Sequence, residues 1–556
     1  MIARDRLRWN GWGRLGESVH FSPERERALL DALGRRLGRR LERGPDPIAL
    51  DDLRLPVPKL SESTLVALRR ACGEDAVRTS VLERVTHALG RSLPDLLRLR
   101  RGELAFVPDA VAHPPDEGSV AALLRVAAGA ELAVVPVGGG TSVVGGIEAR
   151  PGAGQAGVLA LDTTRLDSLV RFDAQSLLAT FQAGIDGPAL EATLRAHGAT
   201  LGHFPQSFEH STLGGWIATR SSGQFSNRYG AIEDHLVSVR VVTPTGVLRT
   251  IEVPRSASGP DLNALVLGSE GTLGVIVEAT LRVKPLPAAS GERGMLFRDF
   301  ASGVAAVREA VREAVPVAML RLADGAETEL GETLRRDPAR RVDPAAVVLG
   351  AAGGLGWGTG RALLLTAAEG DAREVRRALA RVRSIGVRRG GLPLGASPGR
   401  SWRRDRFRTP YLRDWLLDHG VAVDTLETAL AWSRVETGHA AITRALCAAL
   451  EARAGAGLAM AHLSHSYPDG ACLYFTILYP LDLADPLAQW HGIKRDATRA
   501  VLDAGGTLSH HHGIGIDHAA WLAEEKGSVG IAALRAVKSA LDPRGIMNPG
   551  KLLPDD

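Results

Sequence analysis

Cysteine is scarce: Cys72, Cys447 and Cys472 are the three among 556 residues, and no C-x-x-C pair occurs. That excludes a disulfide framework and a cysteine-rich zinc site, and it suits a reducing compartment. Lysine is nearly absent, six of 67 basic residues, so a lone arginine in so arginine-rich a chain carries little information. The net charge is only +4, and without a basic block there is no footprint for a nucleic-acid partner. The opening MIARDRLRWNGWG lacks an apolar h-region, so no secretory signal is expected. The uncharged stretch 345–360 holds six glycines and is too short to span a bilayer. A cytoplasmic protein is expected, with peripheral contact at a membrane surface left open.

What is present is ordinary globular material, 45% hydrophobic and 23% charged, in a chain long enough for two to four domains. Residues 1–100 read as a helical N-terminal region. Ser22, Pro23 and Glu24 offer an N-cap, a first-turn proline and an early acid, followed by Leu30, Leu33, Leu37 and Leu41 at helical spacing. Arg35, Arg36, Arg39 and Arg40 form the opposite face, which is either solvated or suited to anionic lipid. From 101 to 285 the pattern changes to short strands broken by glycine turns, clearest at 158–162, 177–184, 237–246 and 274–283, with a helix over 187–197. Pro285-Leu286-Pro287 marks a linker to a second domain, 286–509, which includes the strand-like CLYFTILYP (472–480). The remaining 510–556 is expected to complete a site. The predicted class is α+β.

Chemistry concentrates in loops. Pro136-Val137-Gly138-Gly139-Gly140-Thr141-Ser142 follows a strand, and three glycines without β-carbons let the backbone turn N–H groups toward an anion while Thr141 and Ser142 add hydroxyls. It is neither a G-x-G-x-x-G fingerprint nor a Walker loop, and the Walker-like GIMNPGKL (545–552) has leucine where Ser or Thr is needed. A donor-rich stretch at 202–230 brings Gln206, Ser207, Ser211, Thr212, Thr219 and Ser222. A third loop, 268–276, brings Glu270, Gly271, Thr272, Leu273, Gly274, Val275 and Ile276. Three such loops within 150 residues suit one extended polyvalent ligand. Further on, TLSHHHGIG sets His510, His511 and His512 side by side. If that run is extended, His510 and His512 share a face and His511 points away. With no H-E-x-x-H, no cysteine pair and no acid at ligand spacing beside it, a metal site is not expected.

These loops together resemble the FAD domain of the vanillyl-alcohol-oxidase/p-cresol-methylhydroxylase flavoproteins. RWNGWG (8–13), GHFPQSFEHSTLGGWIATRSSG, GPDLNALVLGSEGTLGVI, PYLRD (410–414), DGACLYF (469–475) and GGTLSHHHGIG (505–515) are similar, in this order and over nearly the whole chain, to the alkyldihydroxyacetonephosphate synthase family. The resemblance implies an FAD-binding domain of that type with a second α+β substrate (cap) domain. It implies replacement of the acyl chain of acyl-dihydroxyacetone phosphate by a fatty alcohol, the flavin undergoing no net redox change. It makes Arg413 and Arg321 substrate-binding residues, with His462 beside them, and Tyr474 and His510–His512 the proton-handling groups. Where relatives with covalent flavin carry histidine in the first loop, this chain has Thr141, so non-covalent FAD is expected.

The chain departs from the family pattern at several points. AHLSHSY places His462 and His465 where arginine and glutamine are usual, and His210 replaces an aromatic. The end, DPRGIMNPGKLL, reads more like flavin-dependent 2-hydroxyacid dehydrogenases, and residues 330–360 lack an aromatic, basic stretch. Added imidazoles suit proton removal from an α-hydroxy acid, so an FAD oxidoreductase of a 2-hydroxy acid or related alcohol stands as the alternative. The expected partner is accordingly a small lipid-like or hydroxy-acid molecule; a homodimer is left open.

Overall fold

A computed structural model describes residues 6–335 and 344–553, with the side chains of 344–348 excepted; of the stretch 330–360, residues 336–343 lie outside the described residues. Ser22 caps the first helix, α1 (Pro23–Arg36), by accepting the Arg25 N–H. The helix stops short of the predicted Leu41 because Gly38 turns into the left-handed region at φ +65°. Leu37 and Leu41 nevertheless remain buried beside Leu29 and Leu33, packed on Trp415, Met460 and Leu478. On the opposite face Arg36 pairs with Glu329 and Arg40 with Glu42.

In the first large unit, β1 (Leu132–Val137) and β2 (Gly157–Asp162) pair in parallel within a four-stranded sheet. Their near-continuous burial is what parallel strands covered on both faces require. The exposed edge of β1 is closed by the chain's far end: Val134 donates to the Ile546 carbonyl and accepts from Asn548. A five-stranded antiparallel sheet stands beside it, built from 169–173, 178–182, 236–243, 246–249 and 275–282. The run predicted as one strand over 237–246 folds back at Thr243–Gly246 into a hairpin. Lys284-Pro285, at the expected linker, pairs with Ala199-Thr200.

The second unit is a seven-stranded antiparallel sheet made wholly of residues 289–480. Its strands include β3 (Met319–Ala323), followed by helix α2 (Gly325–Arg335). Helix α3 (Thr409–Asp418) leads into β4 (Val421–Ala431), and β5 (Leu458–Ser466) and β6 (Gly470–Pro480) complete the region that matters below. Alternation along these strands divides the sheet. Leu320, Leu322, Leu463, Leu473, Phe475 and Ile477 point into a core covered by helices that include 300–312, 372–388, 432–454 and 486–503, while the opposite residues face the first unit.

Candidate active site

Between the two units lies a pocket of about 760 Å³, within the size range of small-molecule sites. One wall is the face of β4, β6 and β5. Antiparallel register aligns Glu427, Tyr474 and His462 in one row, Thr425, Thr476 and Met460 in the next, and Val423, Leu478 and Leu458 in the third. Rows two residues apart are separated by about 7 Å, so this wall passes from acid, phenol and imidazole to aliphatic side chains in about 14 Å.

The aromatic end is crowded. His462 stacks on Tyr474 at 5.0 Å, and His511 and His512 lie 6.0 and 5.5 Å from the same ring. The segment bearing these histidines is not extended. Glu427 accepts the backbone N–H of His510, of His511 at 3.1 Å and of His512 at 2.9 Å, together with the Ser509 hydroxyl at 2.8 Å. Successive amides can reach one carboxylate only if the chain curls around it, and that curl changes the expected facing. His511 and His512 line the pocket. His510 turns away, its Nε2 2.6 Å from the Tyr467 hydroxyl, so it belongs to the supporting network and not to the substrate wall. Gly513 follows at φ +90°, and Glu270 then takes the amides of Ile514 at 2.6 Å and Gly515 at 2.7 Å. One carboxylate from each unit therefore pins the loop.

Protonation follows burial. Desolvation lowers His510, His511, His512 and His465, the last held by Ser226 at 2.7 Å, so these rings are neutral near pH 7. Burial also works to raise Glu427, but the surrounding His511, His512 and His510, which donate their backbone N–H groups to it, hold it well below the usual carboxylate range. Glu270, with only two amides to offset its burial, is pushed up to about 7. Burial pushes Tyr474 up to about 12, so it keeps its proton. Glu427, Cys472, His510 and His511 have ligand-type atoms within 4.8 Å of one another, yet both Glu427 oxygens are engaged by the backbone. The geometry is that of an orienting carboxylate.

Arg413, on α3, is half-buried: its Nη1 donates to the Arg91 carbonyl at 2.6 Å, while its buried Nε and Nη2 have no protein partner. The RWNGWG motif supports this helix, the Trp12 amide donating to Asp414 at 2.6 Å and Arg8 pairing with it at 3.3 Å. Arg321, by contrast, pairs with Glu327 on α2, whose other oxygen lies 2.9 Å from His462 Nδ1. His210 does not line the pocket; it packs edge-on against Trp12.

Across from the sheet, the glycine loop 136–142 lines the same pocket, joined by Gln206, Ser207, Ser211, Thr212, Thr219, Ser222, Glu270, Gly271 and Gly274–Ile276. A β-carbon on Gly138 would overlap the Thr212 hydroxyl and one on Gly139 the His210 carbonyl, so neither position has room for a side chain. Thr272 and Leu273 do not line it. Both are buried in the turn, where Thr272 donates to the Ser269 carbonyl at 2.7 Å.

Residues 108–252 match an FAD binding domain, and 288–552 match the C-terminal domain of FAD linked oxidases. The chain is 31% identical to an alkyldihydroxyacetonephosphate synthase of Trypanosoma brucei brucei over 99% of its own length and 93% of that protein. The chain belongs to the alkyldihydroxyacetonephosphate synthase family. A solved structure of alkyldihydroxyacetonephosphate synthase superposes with a TM-score of 0.84 at 29% identity, covering 99% of this chain and 98% of that one. p-Cresol methylhydroxylase, at 15% identity and TM-score 0.67 over 90% of this chain and 99% of its own, shares the fold.

The protein is therefore an FAD-dependent enzyme with an α+β fold of the p-cresol-methylhydroxylase type, as its loops suggested. The synthase-family residues fit FAD on the structure's own terms, since the side-chain-free glycine cradle and the hydroxyl-rich wall open into one continuous groove. Two pocket-shaping acids were not singled out from sequence. Glu427 had a signal, a buried acid in a strand whose neighbours are mostly aliphatic. Glu327 had none, because an acid in a helix is commonplace.

Proposed function

We propose that the protein replaces the acyl group of acyl-dihydroxyacetone phosphate by a fatty alcohol, releasing a fatty acid. The observation that carries this reading is Arg413: a buried guanidinium with two unpartnered donor nitrogens, in a pocket that also has aliphatic walls. Leaving such donors unpaired costs about 1–3 kcal/mol or more, so the site is built for an anion, and a phosphate accepts a bidentate arginine well. Leu33, Leu330, Val423, Met460 and Leu478 also line the pocket, suited to an alkyl chain.

FAD, when bound, supplies reversible storage of an electron pair. This chain's residues do the rest. The loops at 136–142, 206–222 and 270–276, which line the pocket, would hold the cofactor. Arg413 anchors the phosphate, and Arg321, already neutralised by Glu327, shapes the wall. Tyr474 keeps its proton and can donate it to the departing carboxylate, while neutral His511 and His512 stand beside it to return one. The apolar walls keep water from the reacting carbon. Incubating the purified holoenzyme with acyl-dihydroxyacetone phosphate and a labelled long-chain alcohol should place the label in an ether product without net bleaching of the flavin absorbance. No labelled ether, or full bleaching by a 2-hydroxy acid, would overturn the reading.

A further inference from the structure

We propose that His462, oriented by Glu327, is the base that takes the hydroxyl proton of the incoming alcohol. The inference rests on the acyl-for-alkyl exchange above and assigns a proton acceptor within it. Four observations converge on this residue.

Its tautomer is set by contact. A carboxylate oxygen of Glu327 lies 2.9 Å from Nδ1, which requires a hydrogen on that nitrogen and leaves the lone pair on Nε2. The Arg321 Nη2 is 3.1 Å from the same Nδ1, but its charge is met by the other Glu327 oxygen. The arrangement is that of a base with an orienting carboxylate.

Its place on the wall is the second observation. His462 belongs to the row of titratable side chains, and the next two residues of β5 on that face are Met460 and Leu458. An alkyl chain lying over Met460 and Leu478 brings its terminal hydroxyl to His462. His511 and His512 lie at the other side of Tyr474, with their amides on Glu427.

Third, the alternatives are less suited. Tyr474, pushed up to about 12 by burial, is a donor. His510 is turned to Tyr467.

Fourth, His462 is in the right state. Burial, then Arg321, lowers it, against the pull of Glu327 and Asp324, so it is unprotonated near neutrality. The other titratable rings around it are Tyr474, His465 and His511.

The step balances. The alcohol O–H bond breaks and its proton passes to Nε2. The alcohol oxygen uses that electron pair to form the ether bond to the carbon that carried the acyloxy group. The carboxylate leaves with the pair of the broken C–O bond, and the proton is later released to it or to solvent.

The test uses the FAD-loaded enzyme and compares wild type with His462→Gln and Glu327→Gln. General-base catalysis contributes about 10²–10⁴-fold. His462→Gln should therefore lower kcat for exchange by about a hundredfold, keep the flavin spectrum, and lose the acidic limb of the pH–rate profile. Added imidazole should restore part of the rate to His462→Ala. Glu327→Gln removes the carboxylate that raises His462, so its acidic limb should move to lower pH. A His462→Gln enzyme that binds FAD and keeps both the limb and a rate within about threefold of wild type would overturn the assignment while leaving the exchange reading intact. Absence of exchange in the wild type would overturn both.

Discussion

Glu427 sits directly across the β4–β6 ladder from Tyr474, and its carboxylate gathers the amides of His510, His511 and His512. The Tyr474 phenol and the loop that faces it are thus registered by a single acid. Glu427→Gln would present an NH₂ group to those amides and lose the charge. Charge-assisted hydrogen bonds contribute about 1.5–3 kcal/mol each, so a stability loss of roughly 3 kcal/mol is expected, with exchange reduced at least about tenfold and FAD retained. Thermal melting and flavin absorbance, followed beside activity, check this; unchanged turnover would show that the curl holds without the acid. The sign with pH is fixed as well. A carboxylate held below its ordinary 4.5 contributes stability above that value and loses it only as strong acid is approached.

Tyr474→Phe removes one hydroxyl and leaves the stacking with His462 and the packing of β6 intact. Melting temperature and FAD content should stay near wild type while turnover falls at least about tenfold. Near-normal steady-state rates would remove Tyr474 from the mechanism.

Arg413→Lys keeps a positive charge but cannot present the planar pair of N–H donors. The KM for acyl-dihydroxyacetone phosphate should rise by about tenfold or more, with FAD affinity unchanged. Inorganic phosphate, expected to compete with substrate in the wild type, should compete more weakly in the variant. Equal inhibition constants would place the phosphate elsewhere.

Glu270 gives a pH prediction of opposite sign. Its carboxyl is raised from 4.5 to about 7 by burial, so the native state binds the proton more tightly than the unfolded chain. The associated stability is fully present below about 4.5 and is lost as pH rises through about 7, on the order of 3 kcal/mol at about 1.4 kcal/mol per unit. Melting of the FAD-saturated protein between pH 5 and 7.5 should show this slope, and Glu270→Gln should flatten it. Parallel curves for the two proteins would mean that Glu270 does not titrate in this range.

Thr141 occupies the loop position where a histidine would carry covalent flavin. Acid precipitation should therefore leave the yellow colour in the supernatant. A yellow pellet would demonstrate a covalent bond.

The strands were legible because their signals are local. β1 and β2 show as aliphatic runs, β1 ending in a glycine turn and β2 following one, and the Ser22 cap announces α1. Gly138–Gly140 likewise disclosed a close backbone approach, since three missing β-carbons have few other uses. The hairpin inside 237–246 and the early end of α1 were misjudged, because periodicity continues through a turn whose side chains still pack on the core. Arg413 could be named from its motif, but not its two vacant donors, which depend on Asp414 being claimed by residues 8 and 12 some four hundred positions away.

The amino-acid sequence determined the residue types of this site: a glycine cradle, hydroxyl-rich loops, an arginine, a tyrosine and three adjacent histidines. Only the tertiary structure decided which histidines face the substrate. Alternation assigned His510 and His512 to one side, but alternation presumes that each amide has its own partner across a ladder. Here Glu427 from one unit and Glu270 from the other draw consecutive amides to two points, and the backbone must curl to satisfy them. That curl turns His511 and His512 toward the pocket and His510 toward Tyr467.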